Sequence, residues 1–163
     1  MSAPLSKFYS GWEGYNELLM RTVSALDADQ LSLRAGPQLW SVRTLANHIV
    51  AVRAWWFHGW MGEGGPELGG FLDYDEGDEA ERRAGPEIAA ALRSTFAGLE
   101  KCLSAWTETD LGAEFQRPAP NAQGQRPKRS RRYIVWHVVE HDLHHGGEIS
   151  ITLGMHGLSG LGI

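Results

Sequence analysis

The apolar positions of this chain fall into four long stretches at helical spacing, and the polar and glycine-rich positions gather between them. In the first stretch Leu5, Phe8, Trp12, Tyr15, Leu19, Thr22 and Leu26 alternate three- and four-residue steps, which puts them on one face of a helix. Gly11 and Gly14 predict a soft break inside it. The pair Gly36-Pro37 marks Asp27 to Leu39 as a connection. A second helix opens at Trp40-Ser41, with Ser41 as its N-cap and a stripe through Val42, Leu45, Ile49, Val52, Trp56 and Trp60. Pro86 suits the first turn of a third helix, whose stripe runs through Ile88, Leu92, Thr95, Leu99, Cys102 or Leu103, and Trp106. The fourth spans Tyr133 to Leu153.

Two connections shape the expected course. Gly62 to Gly85 is rich in glycine and acid, and is long enough to cross a bundle and let the second and third helices run parallel. Its acidic run is expected to face solvent. Thr107 to Lys128, with Pro118, Pro120 and Pro127, reads as irregular. No segment carries the alternation of a strand. The expectation is all-α: a four-helix bundle, one domain over residues 1–163, with a long crossover between helices two and three.

The fourth stretch carries the chemistry. Its stripe collects Ile134, Val138, His141, His145, Ile149 and Thr152, so two positions that should be aliphatic are histidine. Residues four apart on a helix stand one above the other, about 5–6 Å apart at Cβ. Two buried imidazoles each need partners for both nitrogens, and they would repel if both were protonated. A hydrogen-bonded core satisfies them, and so does a shared divalent cation. Gly146 and Gly147 follow directly, each costing about 1 kcal/mol against alanine in a helix. They make room either for a ligand or for the close approach of another helix. His48 lies at the edge of the second helix's stripe, whereas His58 falls nearer the polar face. His137 and His144 flank the fourth stripe and read as neighbours of the pair. A second apolar side of the same helix, Val135, Val139, Leu143 and Leu153 with Trp136 nearby, suggests a partner subunit.

Composition narrows the classes. The chain has 163 residues, 42% hydrophobic and 21% charged, an ordinary globular balance. A formal net charge of −5 argues against a general nucleic-acid binder. No run of about 18 apolar residues predicts a membrane span, and the first residues lack the pattern of a signal peptide. Cys102 is the only cysteine, which suits a reducing, cytoplasmic compartment; it reads as a small core residue rather than a nucleophile. The basic cluster Arg126, Lys128, Arg129, Arg131 and Arg132 is either a solvated surface or, if it borders a site, a grip for carboxylate or phosphate.

Two motifs resemble a known family. Trp40-Ser41-Val-Arg-Thr-Leu-Ala-Asn-His48 resembles the Trp-Ser…His element of the DinB/YfiT-like superfamily. His141-Asp-Leu-His-His145-Gly-Gly-Glu148 resembles its His-x-x-His-His-Arg-Gly-Gln signature. The resemblance spans essentially the whole chain. It implies a four-helix bundle with an up-down-down-up course, often dimeric. It also implies a divalent metal held by three histidines, matching His48, His141 and His145. Members with known activity are transferases or isomerases that use a low-molecular-weight thiol. The sequence departs from the signature at Gly146, where arginine is frequent, and at Glu148, where glutamine is frequent.

The leading expectation is therefore a metal-dependent transferase acting on a small electrophile with a low-molecular-weight thiol. Three histidines leave a coordination position open, and zinc, nickel and iron all suit an all-nitrogen donor set. Glu148 is a candidate to orient a ligand histidine by hydrogen bonding. Arg129, Arg131 and Arg132 are candidates to grip the thiol's carboxylates. Two alternatives stand beside it. One is a metal-dependent hydrolase; the other is a non-catalytic metal-binding stress-response dimer. No serine–histidine–acid order supports a covalent mechanism of another kind.

Overall fold

A computed structural model describes residues 3–162; the remaining residues of the expected domain, 1, 2 and 163, lie outside it. The chain is mostly helical, and four helical segments carry the core. The first is split: α1 (Leu5–Phe8) turns at Tyr9 into α2 (Ser10–Ser24). The break falls there and not at Gly11 or Gly14, which continue α2 with open space beside them. Phe8, expected on the buried stripe, is 80% exposed as a result. A short α3 (Ala28–Leu31) is opened by a capping box between Asp27 and Gln30. Then α4 (Val42–Ala54) starts on Ser41, whose hydroxyl accepts from the Thr44 amide as expected of the N-cap.

The end of α4 departs from the sequence pattern. It continues as a π-helical segment, Trp55–Trp60. Val52 and Trp56 are only half-buried, while Arg53 and Phe57 take the fully buried positions after Ile49. The crossover that follows is not structureless. It holds a 3₁₀ turn over Pro66–Phe71 and a short α5 (Gly77–Ala80), and it is fastened to α4. Asn47 donates to the Ala80 carbonyl at 2.8 Å, and Arg43 donates to the Arg83 carbonyl at 3.1 Å.

α6 (Gly85–Ala105) has Pro86 in its first turn. Gly85 lies against the Val23 carbonyl, where an added Cβ would come within 2.3 Å. At the other end the Leu5 amide donates to the Trp106 carbonyl at 2.9 Å. The segment after α6 contains an antiparallel pair that sequence did not predict, β1 (Glu114–Gln116) with β2 (Lys128–Ser130), in the register Phe115 opposite Arg129. α7 (Arg131–Met155) is capped by Ser130.

α2 packs on α6, and α4 packs on both α6 and α7. Two apolar clusters fill the interior. One is built on Leu19, Val23, Ile49, Leu92, Ile149 and Leu153; the other on Trp12, Phe57, Leu99, Trp106, Ile134 and Val138. Val135 and Leu153, assigned to a partner-facing side from sequence, are buried within this core instead. Trp136 and Leu143 remain outside, 59% and 47% exposed. Cys102 is buried among apolar neighbours, and burial pushes its thiol up to about 11, as a core residue and not a nucleophile. Among the described residues, no helix is long and apolar enough to cross a membrane.

Candidate functional site

α4 and α7 bring three histidines together. The ring of His48 lies 4.9 Å from that of His141 and 5.3 Å from that of His145, centre to centre. His141 and His145, one turn apart on α7, are 4.3 Å apart. Their Nε2 atoms stand 3.2 Å from each other, and one nitrogen from each of the three rings falls within a 4.8 Å span.

The outward nitrogens have partners that aim the rings. His48 Nδ1 meets the Asp75 carboxylate at 2.5 Å, and His145 Nδ1 meets Glu148 at 2.6 Å. With each Nδ1–H donated to a carboxylate, the Nε2 lone pair faces the shared space. Glu148, the sequence candidate for orienting a ligand histidine, is the partner of His145 Nδ1. Asp75 was missed, because it sits in the acidic crossover run that was expected to face solvent. The turn around it is held by Arg83, whose guanidinium donates to the Tyr74 carbonyl and lies 3.7 Å from the centre of the Tyr74 ring.

The third ring behaves differently. Burial, then the neighbouring His145 and His48, hold His141 down to about 3, so it is neutral at pH 7. Burial also lowers His145, against the pull of Glu148. The Nδ1 of His141 is buried without a partner. Two nitrogens that each lie about 2.0–2.1 Å from a tetrahedral zinc stand about 3.3–3.4 Å apart, close to the separation seen for His141 and His145. The lowered pKa values of His141 and His145, the short separation of their Nε2 atoms and the two carboxylates on Nδ1 atoms therefore fit a divalent metal.

Trp40 closes one side, stacked on His145 at 5.8 Å and edge-on to His48 at 5.0 Å. On the other side Tyr133, His137 and His141 form a row along α7, with Trp56 against His137 at 4.7 Å. His144 is exposed beside Glu148, and His58 is half-buried against Gly69 rather than on a polar face.

The three arginines separate. Arg131 is buried, paired with Glu63, donating to the Asp110 carbonyl at 2.7 Å and stacked on Trp106. It is a structural residue and is not open to a ligand. Arg132 borders a groove with Phe8 and Trp136. Arg129 lies over Tyr133, 4.9 Å from its ring centre, at the outer end of the row that leads to His141.

Sequence reasoning also missed the interior of the site. Arg53 and Asp142 form a buried ion pair at 2.7 Å directly beneath the histidines, completed by Trp12 and Asn16. Each occupies a core position of its helix, Arg53 between Ile49 and Phe57 and Asp142 between Val138 and His145. Opposite charges at core positions of two helices were the available signal.

An all-α protein with a three-histidine cluster between its second and fourth long helices is the class these features define. The family model of the DinB family matches residues 1–160, and the chain belongs to that family. Its fold is similar to the crystal structure of a DinB-like protein from Bacillus cereus ATCC 10987. The two are 19% identical, with a TM-score of 0.66 over 100% of this chain and 99% of that one. Comparison with curated proteins gives no significant match.

Proposed function

We propose that this protein is a divalent-metal-dependent transferase that joins a low-molecular-weight thiol to a small electrophile, with His48, His141 and His145 as the metal's ligands. The observation that carries the reading is the convergence of three imidazoles, two of them aimed by carboxylates. Zinc, nickel or iron suits these donors, and such a metal, when bound, supplies the charge that keeps a thiol deprotonated at neutral pH. Asp75 and Glu148 fix the tautomers of His48 and His145. Burial keeps the His141 lone pair free. Trp40 shields His145 from water. Of the candidate arginines, Arg129 is the one whose position suits a grip on the thiol's carboxylates.

Hydrolysis at the same centre would need a base facing it. Both nearby carboxylates are engaged with Nδ1 atoms, which favours transfer over hydrolysis.

Three further parts of the reading have their own support. An up-down-down-up course fits the end contacts of α2 with α6 and the crossing of His48 and Arg53 with His145 and Asp142. A homodimer through α7 and α1 fits the exposed Trp136 and Phe8, which share one groove. A cytoplasmic location fits the lone, unpaired Cys102.

The test is elemental analysis of protein purified without added nickel. One metal per chain is expected, lost in His141→Ala and His145→Ala and kept in His58→Ala. Normal stoichiometry in the first two variants would sink the assignment. Activity is then screened with several thiols and electrophiles against a metal-free blank. Bound metal with no turnover above that blank would replace the transferase with a metal-binding dimer.

A further inference from the structure

A cavity of about 470 Å³ opens beside the histidine cluster on the side of Trp40. That volume lies within the range of small-molecule sites, about 300–1,000 Å³. Its walls come from the loop before α4 and from the last turns of α7. Leu39, Trp40 and Leu45 face Ile151, with His145 and Glu148 at the inner end.

Two features set what it can hold. The walls are mostly apolar, and three of them are large side chains left open: Leu39 is 53% exposed, Trp40 46% and Ile151 63%. Exposed apolar side chains gathered around a concavity mark a binding site more than a solvated surface. The second feature is charge. Glu148 is the one acidic residue of the lining, and no lysine or arginine contributes to it. Apart from a metal held behind His145, an anion would meet no cationic side chain here and a carboxylate beside it.

The loop is also fixed in place. The Arg34 guanidinium donates to the Leu39 carbonyl at 2.6 Å, Arg34 bridges to Ser41, and the Val42 amide donates to the Leu33 carbonyl at 3.0 Å. Leu39 and Trp40 are thereby held in position without a ligand, so little ordering is left for binding to oppose.

We propose that this cavity binds the electrophile, and that its occupant is a mainly apolar small molecule without negative charge. The assignment of the occupant as the electrophile rests on the transferase reading above. A thiol rich in carboxylates is excluded from this side by the same charge argument. It would reach the histidines along Tyr133 and His137, where Arg129 stands.

The experiment uses two fluorescent probes with one body: N-phenyl-1-naphthylamine, which is neutral, and 1-anilinonaphthalene-8-sulfonate, which adds a negative group. They are titrated into metal-loaded and metal-free protein, with metal content measured on the same samples. The neutral probe is expected to bind at least about tenfold more tightly than the sulfonate. Ile151→Asp, at an exposed position, should weaken the neutral probe about tenfold or more, and Glu148→Gln should narrow the gap between the probes. Trp136→Gln, in the separate groove with Phe8, should change neither. Equal binding of the two probes would overturn the proposal, as would neutral-probe binding that survives Ile151→Asp or is lost in Trp136→Gln. Failure here with one metal per chain leaves the metal site standing. Loss of the metal assignment with a normal probe preference leaves the cavity standing.

Discussion

The Arg53 guanidinium and the Asp142 carboxylate meet at 2.7 Å with neither side chain exposed to solvent. Both Nε and Nη2 of Arg53 donate to the same oxygen, and Trp12 Nε1 donates to it at 2.6 Å. The remaining guanidinium nitrogen reaches Asn16 at 2.9 Å and the Leu92 carbonyl at 3.1 Å. Such a pair adds little net stability over apolar residues of the same volume, because desolvation offsets the attraction. Its position gives it another use. Asp142 directly follows His141 on α7, and Arg53 lies on α4 little more than one turn beyond His48. The pair fixes how far one helix is shifted along the other, and so whether three histidines meet.

Removing one partner should therefore be severe. Asp142→Ala leaves a buried guanidinium unpaired and is expected to cost about 3–5 kcal/mol, on the order of 10 °C in Tm for a chain of this length. The double variant Arg53→Met/Asp142→Leu should recover much of that stability while binding metal more weakly than the parent. Urea denaturation and metal titration on the same samples check both halves. A double variant with recovered stability and unchanged affinity would remove the register role.

Asp75 should matter to the metal more than to the fold. Its carboxylate aims His48 from a surface crossover, so Asp75→Ala is expected to weaken metal binding about 10–100-fold with only a small change in Tm. Glu148→Gln should do less, since an amide oxygen still accepts from His145 Nδ1. Glu76→Ala, next in the chain and exposed, should do nothing. Competition against a chromophoric chelator gives all three affinities. Equal affinity for the parent and Asp75→Ala would show that His48 needs no orienting partner.

The metal-free protein should lose stability in mild acid. An ordinary histidine takes up a proton near 6.5, whereas folded His141 holds off until about 3. Between those values the unfolded chain binds more protons than the folded one, so stability falls as pH falls through this window. Partial solvent access to the ring keeps the expected change to about 1 kcal/mol between pH 7 and pH 5. Denaturation midpoints at the two pH values, with and without His141→Phe, measure it. The variant should flatten the dependence; an unaltered slope would assign the effect to other groups.

How much of this was legible in the sequence follows from the range of each interaction. The four long helices repeat apolar residues locally, and His141 and His145 sit one turn apart, so pattern alone reached them. His48 was reached through its Trp-Ser…His element. Arg53 and Asp142 are 89 residues apart, and Asp75 is 27 residues from His48. The charges at core positions of α4 and α7 hint at partners but no sequence window joins them, so Arg53 was passed over and Asp75 read as part of a solvated acidic run. The tail of the second helix was misjudged for another reason. Trp56 looks like a core residue by type yet is only half-buried, and Arg53 and Phe57 take the core positions beside it, while Trp60 is buried as its stripe predicts. The β1–β2 pair has three-residue strands, too short for alternation to register.

The adjacent glycines of α7 look alike in sequence and should respond in opposite ways. Gly146 faces α2: a Cβ there would come within 2.0 Å of the Tyr15 hydroxyl and 2.9 Å of the ring carbon that bears it. Tyr15 is itself packed, 8% exposed, with its hydroxyl directed at the Leu143 carbonyl at 3.4 Å, so its ring cannot swing away freely. Gly146 is thus a point of close helix approach, and the arginine frequent in the family signature has no room here beside Tyr15. Gly147 has nothing within 4 Å of its added Cβ and sits in the middle of a long helix. Gly147→Ala should therefore stabilise by up to about 1 kcal/mol through helix propensity. Gly146→Ala should destabilise by about 1–3 kcal/mol through overpacking and should shift α7 enough to weaken metal binding. Combining it with Tyr15→Leu, which removes the clashing ring, should restore part of the loss. Thermal denaturation of the four proteins decides the matter, and similar Tm changes for the two alanine variants would rule out the close approach of Tyr15 as the reason for Gly146.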